Sequence, residues 1–171
     1  YVELGIQGFH GQFVTPTQAL TVNGASIVPA APANGLTDER VAFTAIWYPQ
    51  PFGLEAEWTF GRGPSLSHDS RTIEVDALSG GYVQAGYLAR NQYGSWFPFT
   101  RWGYYDGARK FARNAPQLRV NDIDLGLEFA RWAEFEITAM YSHTLIRSRT
   151  TAPLGETERG NRLGLQVQWN Y

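Results

Sequence analysis

Apolar and polar residues alternate along this chain with a period of two, most cleanly in its closing stretch. There Leu163, Leu165, Val167, Trp169 and Tyr171 share one parity, and Arg162, Gly164, Gln166, Gln168 and Asn170 share the other. Successive side chains of a β-strand point to opposite sides, so the stretch reads as one strand with an apolar and a polar face. Alone it fits a half-buried strand of a soluble sheet as well as a membrane strand. The same alternation recurs. Val2, Leu4 and Ile6 oppose Glu3, Gly5 and Gln7; Val41, Phe43, Ala45 and Trp47 form one face; Leu54, Ala56, Trp58 and Phe60 oppose Glu55, Glu57 and Thr59. Strands are predicted over about 1–14, 40–48, 54–61, 71–90, 96–106, 122–129, 134–145 and 161–171. The fourth keeps one parity for longer than the ~10 residues that cross a bilayer, so one of its ends should project beyond the membrane.

The connections between these strands are sorted by length. Long polar stretches at 15–38, 61–70, 107–121 and 146–159 alternate with short turns at Pro49–Gly53, Asn91–Gly94 and Ala130–Ala133. Outer-membrane barrels carry short turns on one rim and long loops on the other, whereas a soluble sandwich has no reason to sort its loops. An even number of strands then puts Tyr1 and Tyr171 on the short-turn side. Aromatics gather at both rims: Trp47, Phe52, Tyr87, Trp96, Trp132, Phe135, Trp169 and Tyr171 near the short turns, and Phe13, Phe60, Trp102, Tyr104 and Tyr141 toward the long loops. They read as interfacial girdles, with core packing as the competing explanation. No apolar run approaches the ~20 residues of a membrane helix, so crossing must be by strands. The predicted fold is all-β, an antiparallel transmembrane β-barrel with eight strands in this chain.

Composition removes several function classes. The chain has 171 residues and no cysteine, which excludes disulfides and thiolate metal sites. A net charge of -2 gives no nucleic-acid footprint. Of 14 basic residues Lys110 is the sole lysine, and arginine is the side chain suited to fixed, bidentate contact with carboxylate or phosphate. Catalytic patterns are weak. Ser67, His68, Asp69 and Ser70 are adjacent on a loop and cannot line up as a relay. Gly61-Arg62-Gly63 lacks the lysine of a phosphate loop, His10, His68 and His143 have no ligand spacing, and Glu55 and Glu57 share a face through alternation alone. No enzyme, metal or cofactor is expected.

Several runs carry a family likeness: Gly80-Gly81-Tyr82-Val83-Gln84-Ala85-Gly86-Tyr87, Pro98-Phe99-Thr100-Arg101-Trp102-Gly103-Tyr104-Tyr105-Asp106-Gly107, Asn114-Ala115-Pro116, Arg119-Val120-Asn121, Leu125-Gly126-Leu127-Glu128 and the closing Leu165 to Tyr171. They resemble the C-terminal part of the phosphate-selective porins O and P, while residues 1–60 share only the barrel pattern. The resemblance implies a sixteen-stranded trimeric barrel in the bacterial outer membrane that passes anions through an arginine-lined pore. This chain would then be the C-terminal half, which accounts for Tyr1 beginning inside a strand. Implied partners are outer-membrane lipid, two further copies in a homotrimer, and small polar or anionic solutes, phosphate among them.

Arg101 sits where the family motif places a pore arginine, opposite in parity to Thr100, Trp102 and Tyr104. Arg40, Arg90 and Arg162 also fall on polar faces and add candidate pore cations, although an ion pair with a neighbouring carboxylate competes with that role, more for Arg90 and Arg162 than for Arg101. Acids outnumber arginines on those faces: Glu3, Glu55, Glu57, Glu74, Asp76, Asp122, Asp124, Glu128, Glu134 and Glu136. A wall so acidic departs from a strongly anion-selective pore and points to polar solutes with weak charge preference. Arg109, Lys110, Arg113 and Arg119 are placed in a loop at the pore mouth, as an anion attractor or simply a solvated charge cluster. Two other classes compete with a diffusion channel. One is a complete eight-stranded structural barrel without a pore; the other is a soluble lipocalin-like binder, which requires apolar side chains inside.

Overall fold

The structure, a computed structural model, describes residues 1–22, 24–149 and 156–169, so Asn170 and Tyr171 lie outside the described residues. Its long strands are β1 (Val2–Phe13), β4 (Leu36–Trp47), β5 (Phe52–Leu66), β6 (Ile73–Tyr87), β8 (Gly94–Ala108), β9 (Gln117–Trp132), β10 (Phe135–Ser148) and β11 (Thr157–Trp169). Three short ones accompany them: β2 (Leu20–Val22), β3 (Ala25–Ile27) and β7 (Ala89–Asn91). The long strands form one antiparallel meander in the order β1-β4-β5-β6-β8-β9-β10-β11. Each long strand hydrogen-bonds to the next long strand in the sequence, across short turns and long connections alike. β1 and β11 are the two edges of an open sheet.

Several boundaries differ from expectation, most of them toward longer strands. β4 begins at Leu36 rather than 40, β5 continues to Leu66, and β9 starts at Gln117, five residues before its predicted start. These extensions lie at the long-connection end, where polar residues blur the alternation. The predicted strand 71–90 is interrupted at Leu88, whose N–H leaves the ladder for the Pro51 carbonyl. β7 then resumes the same register against β8. The stretch 15–38, expected to be a loop, contains the β2–β3 hairpin. Its later part docks on β6, where Ala30 accepts from Ile73 and donates to Arg71.

Burial is inverted relative to a soluble sheet. The apolar parity is open to the surroundings from β1 to β11, with Leu4, Ile6, Phe43, Leu54, Phe60, Ile123, Leu125 and Val167 among the exposed large residues. Buried residues within the sheet lie mostly on the polar parity, among them Asp38, Ala42, Leu78, Leu118, Asp124 and Ser142. A continuous exposed apolar face is stable only against lipid or another apolar surface. It is the reverse of the arrangement that a lipocalin-like binder requires.

Glycine and aromatic residues on the polar face fit each other across strands. The Phe97 ring lies over Gly86 and the Phe99 ring over Gly126, where an added Cβ would sit 2.2 Å and 2.1 Å from ring carbons. Register places Gly86 directly beside Phe99, and Phe99 beside Gly126. The rings cover backbone that glycine leaves bare, which stiffens the wall without adding bulk beyond the ring thickness. At the short-turn end the apolar face carries rings in edge-on or tilted contact: Phe52 with Tyr87, Trp96 with Phe129, and Trp132, Phe135 and Trp169 in series. Toward the long connections Trp58, Trp102 and Tyr104 form a second group. Phe13, expected in that outer group, is on the opposite face. Its parity is that of Glu3 and Gln7, and its ring meets Phe111 edge-on at 5.2 Å.

Candidate solute-facing wall

Pairing across the meander aligns polar-face residues into rows. One row runs Glu55, Gln84, Arg101, Asp124, Ser142 and Arg162 across β5, β6, β8, β9, β10 and β11. Arg101 donates from Nε and Nη2 to Asp124 Oδ2 at 2.8 and 2.6 Å. Asp124 is 2% exposed, whereas the Arg101 side chain keeps 35%. The guanidinium also lies 5.8 Å from the Tyr82 ring, and the Tyr82 hydroxyl donates to Glu55. Asp124 Oδ1 and Ser142 Oγ have no protein partner and face each other across the β9–β10 pair.

The arginine expected to be least committed to an ion pair is therefore the one that has it. Arg90 and Arg162, expected to be paired more readily, have no carboxylate within reach among the described residues. Arg162 lies on the open edge strand β11, and Arg90 lies on β7 beside the Asn91–Gly94 turn, at the short-turn rim. Arg40 donates to Asp38 at 3.1 Å. Asp38, which the sequence pattern places before the second strand, is an inward residue of β4 and almost fully buried.

The acids of this face bond mainly to hydroxyls. Tyr48 donates to Glu3 at 2.9 Å, Thr44 to Glu57 at 3.4 Å, Thr144 to Asp122, and Thr138 to Glu136 at 3.3 Å. Glu128 lines the cleft that also holds Glu55, Gln84 and Phe97. Glu74 is exposed opposite Ser65, Asp76 accepts from Gln117, and Glu134 lies in the β9–β10 turn. Hydroxyl partners hold a carboxylate in place without cancelling its charge. Arg101 and Asp124 cancel, whereas Asp38 serves both Arg40 and Lys110 and leaves one positive charge at that end; away from it the polar face is net negative.

The predicted mouth loop separates into three parts. Lys110 turns inward: its ammonium binds Asp38 and lies 5.8, 5.1 and 5.0 Å from the rings of Phe9, Phe13 and Phe111. Arg113 reaches Gln18 at 2.7 Å, and Asn114 pins the loop by accepting from the Gln18 N–H and donating to its carbonyl. Asn114 and Ala115 adopt φ of 64° and 41°, and the Ala115 carbonyl accepts from Leu66. Arg109 stays exposed. Arg119 is not in the loop; it is a residue of β9 on the apolar parity, bonded to Asp106. The length of β9, hidden by its polar start, causes that difference. Elsewhere Ser67 donates straight to Asp69 at 2.6 Å, which holds that carboxyl below the usual range, and His68 takes no part in the bond. Among the described residues no cluster of three His, Cys, Asp or Glu is placed to hold a metal ion.

An antiparallel all-β sheet with an exposed apolar face, a polar opposite face and connections sorted by rim defines the porin-like class of membrane proteins. Within it, the model of the family "Phosphate-selective porin O and P" matches residues 16–171, and the chain belongs to that family. The family is one of channel proteins and not of enzymes, and membership implies the bacterial outer membrane. The match reaches well ahead of the motifs from Gly80 onward, so residues 16–60 carry family sequence and not the barrel pattern alone. Neither a curated protein nor a solved structure matches the chain.

Proposed function

We propose that this chain forms part of the wall of a water-filled diffusion channel for small polar solutes, anions included, with no dedicated phosphate site on this part of the wall. One observation carries the reading. Glu3, Glu55, Glu57, Asp122 and Glu136 on the polar face are held by hydroxyls and keep their charge, while Arg101 at mid-strand and Arg40 near the long-connection end are each bonded to a buried aspartate. A phosphate needs guanidinium donors free to turn toward it. The candidates left for that are Arg162 on one edge, Arg90 at the short-turn rim and Arg109 at the mouth. The two open edges support further strands completing the lumen, in the sense of a sixteen-stranded trimeric porin. A closed eight-stranded barrel would need β1 paired with β11.

Zero-current potentials in planar bilayers under a salt gradient test the reading. The expected result is a conducting pore with weak cation preference that moves toward anions in the Glu55→Gln/Glu57→Gln variant. A potential near the chloride limit, unmoved by that variant, would overturn it, and absence of conductance would favour the pore-less barrel.

A further inference from the structure

The apolar face ends sharply at the long-connection rim, where it gives way to arginine. On β10 the outward residues run Phe135, Ile137, Ala139, Tyr141, His143, Leu145 and then Arg147. The ten-residue interval from Phe135 to Leu145, at about 3.4 Å per residue and a tilt near 45°, spans roughly 24 Å, close to the apolar height of an outer-membrane barrel. Arg147 is thus the first side chain at the level of lipid headgroups. Register puts Asp106 and Arg119 in the same outward row, with Arg159 one row below on the edge strand.

Asp106 organises this row. It accepts from Arg119 Nε and Nη2 at 3.0 and 2.6 Å and from Arg149 Nη1 at 2.5 Å. One carboxylate thereby orders two guanidiniums and neutralises the equivalent of one. Arg147 and Arg159 are exposed and have no carboxylate partner among the described residues. Glu158, the nearest acid on β11, has the opposite parity. Beside the cluster an open cleft is lined by Phe60, Ala77, Ser79, Asp106 and Arg149, and the Phe60 ring, half exposed, leads from it onto the apolar face.

From this geometry we infer that the outward arginine cluster Arg119, Arg147 and Arg149 binds the phosphate groups of an outer-leaflet glycolipid, its acyl chains descending over Phe60. Arg147, bonded to no carboxylate among the described residues, is free to turn its guanidinium bidentately onto a phosphate, and Arg119 and Arg149, whose shared Asp106 cancels only one of their two charges, add positive field beside it. The cleft next to them, polar at Asp76, Ser79 and Gln117 and apolar at Phe60 and Ala77, suits the sugar and first acyl carbons of a glycolipid together and offers a free ion no apolar contact. The inference rests on the porin reading, which turns this face toward lipid.

Native mass spectrometry of the delipidated full chain tests it, with bisphosphorylated lipid A, its dephosphorylated counterpart and inorganic phosphate as probes. The phosphorylated lipid should bind about tenfold tighter than the dephosphorylated one, the size expected for one or two charge-assisted hydrogen bonds. The Arg119→Gln/Arg147→Gln/Arg149→Gln variant should lose that preference while keeping bilayer conductance. Should the triple variant fail to fold, Arg147→Gln, which breaks no internal bond, should still weaken binding about threefold, within the range of a single hydrogen bond. Equal binding of the two lipids, an unchanged preference in the variants, or displacement of lipid by equimolar inorganic phosphate would overturn the inference. A chain that conducts without lipid preference loses this inference alone; one that prefers phosphorylated lipid without conducting loses the channel reading alone.

Discussion

At the scale of single residues, Arg101 ties β8 to β9 through the almost fully buried Asp124. Removing it as Arg101→Ala leaves Asp124 charged and almost fully buried, which costs about 3–5 kcal/mol, whereas an apolar pair such as Arg101→Met with Asp124→Leu recovers most of the loss. Urea unfolding from vesicles reads the difference; an anion flux that falls with no loss of stability would instead make Arg101 a solute contact. Gly126→Ala should cost about 1–3 kcal/mol by overpacking against Phe99, and Phe99→Leu in the same chain should relieve it. The parity of Arg101 is legible in the sequence, but its partner is not. Alternation gives the face of each strand; the residue opposite depends on register, and here the register is set across the long 109–116 connection. A slip by one residue would place Ile123 or Leu125 opposite Arg101 and turn β9 inside out.

Among elements, the 109–116 connection departs most from its sequence reading. Its charges suggest a solvated mouth loop, yet Lys110 and Asn114 tie it to the polar face and to residues 16–18. Asn114→Ala removes two side-chain hydrogen bonds and the residue type best suited to a left-handed φ, a loss of about 2 kcal/mol in docking. The expected outcome is faster proteolytic nicking within 109–116 at an unchanged global unfolding midpoint; equal nicking rates would show that the loop is held elsewhere. Such docking joins residues distant in the chain, such as Gln18 and Asn114, and leaves no periodic trace. The long strands were legible because each shows its own alternation. The β2–β3 hairpin, of three residues per strand, is too short to show one, and the polar start of β9 conceals its first residues, Arg119 included.

For the whole molecule, charge is segregated by face as well as by height. Carboxylates without an ion pair outnumber the unpaired Arg90 and Arg162 on the polar face, whereas the outward long-connection rim holds Asp106 between Arg119 and Arg149 with Arg147 and Arg159 unpaired among the described residues. With so much apolar surface outside, the chain should leave solution when detergent is diluted below its micelle threshold. Persistence as a monodisperse species in buffer would restore the lipocalin-like alternative. The ion-paired ammonium of Lys110 has a practical corollary. Lys110 is the sole lysine of these 171 residues, and Asp38 and three aromatic rings surround its ammonium for as long as the connection is docked. The rate of acylation mapped to that nitrogen, measured against the same nitrogen in urea-unfolded protein, is therefore a clock for how often the mouth opens, and Asn114→Ala should make it run faster.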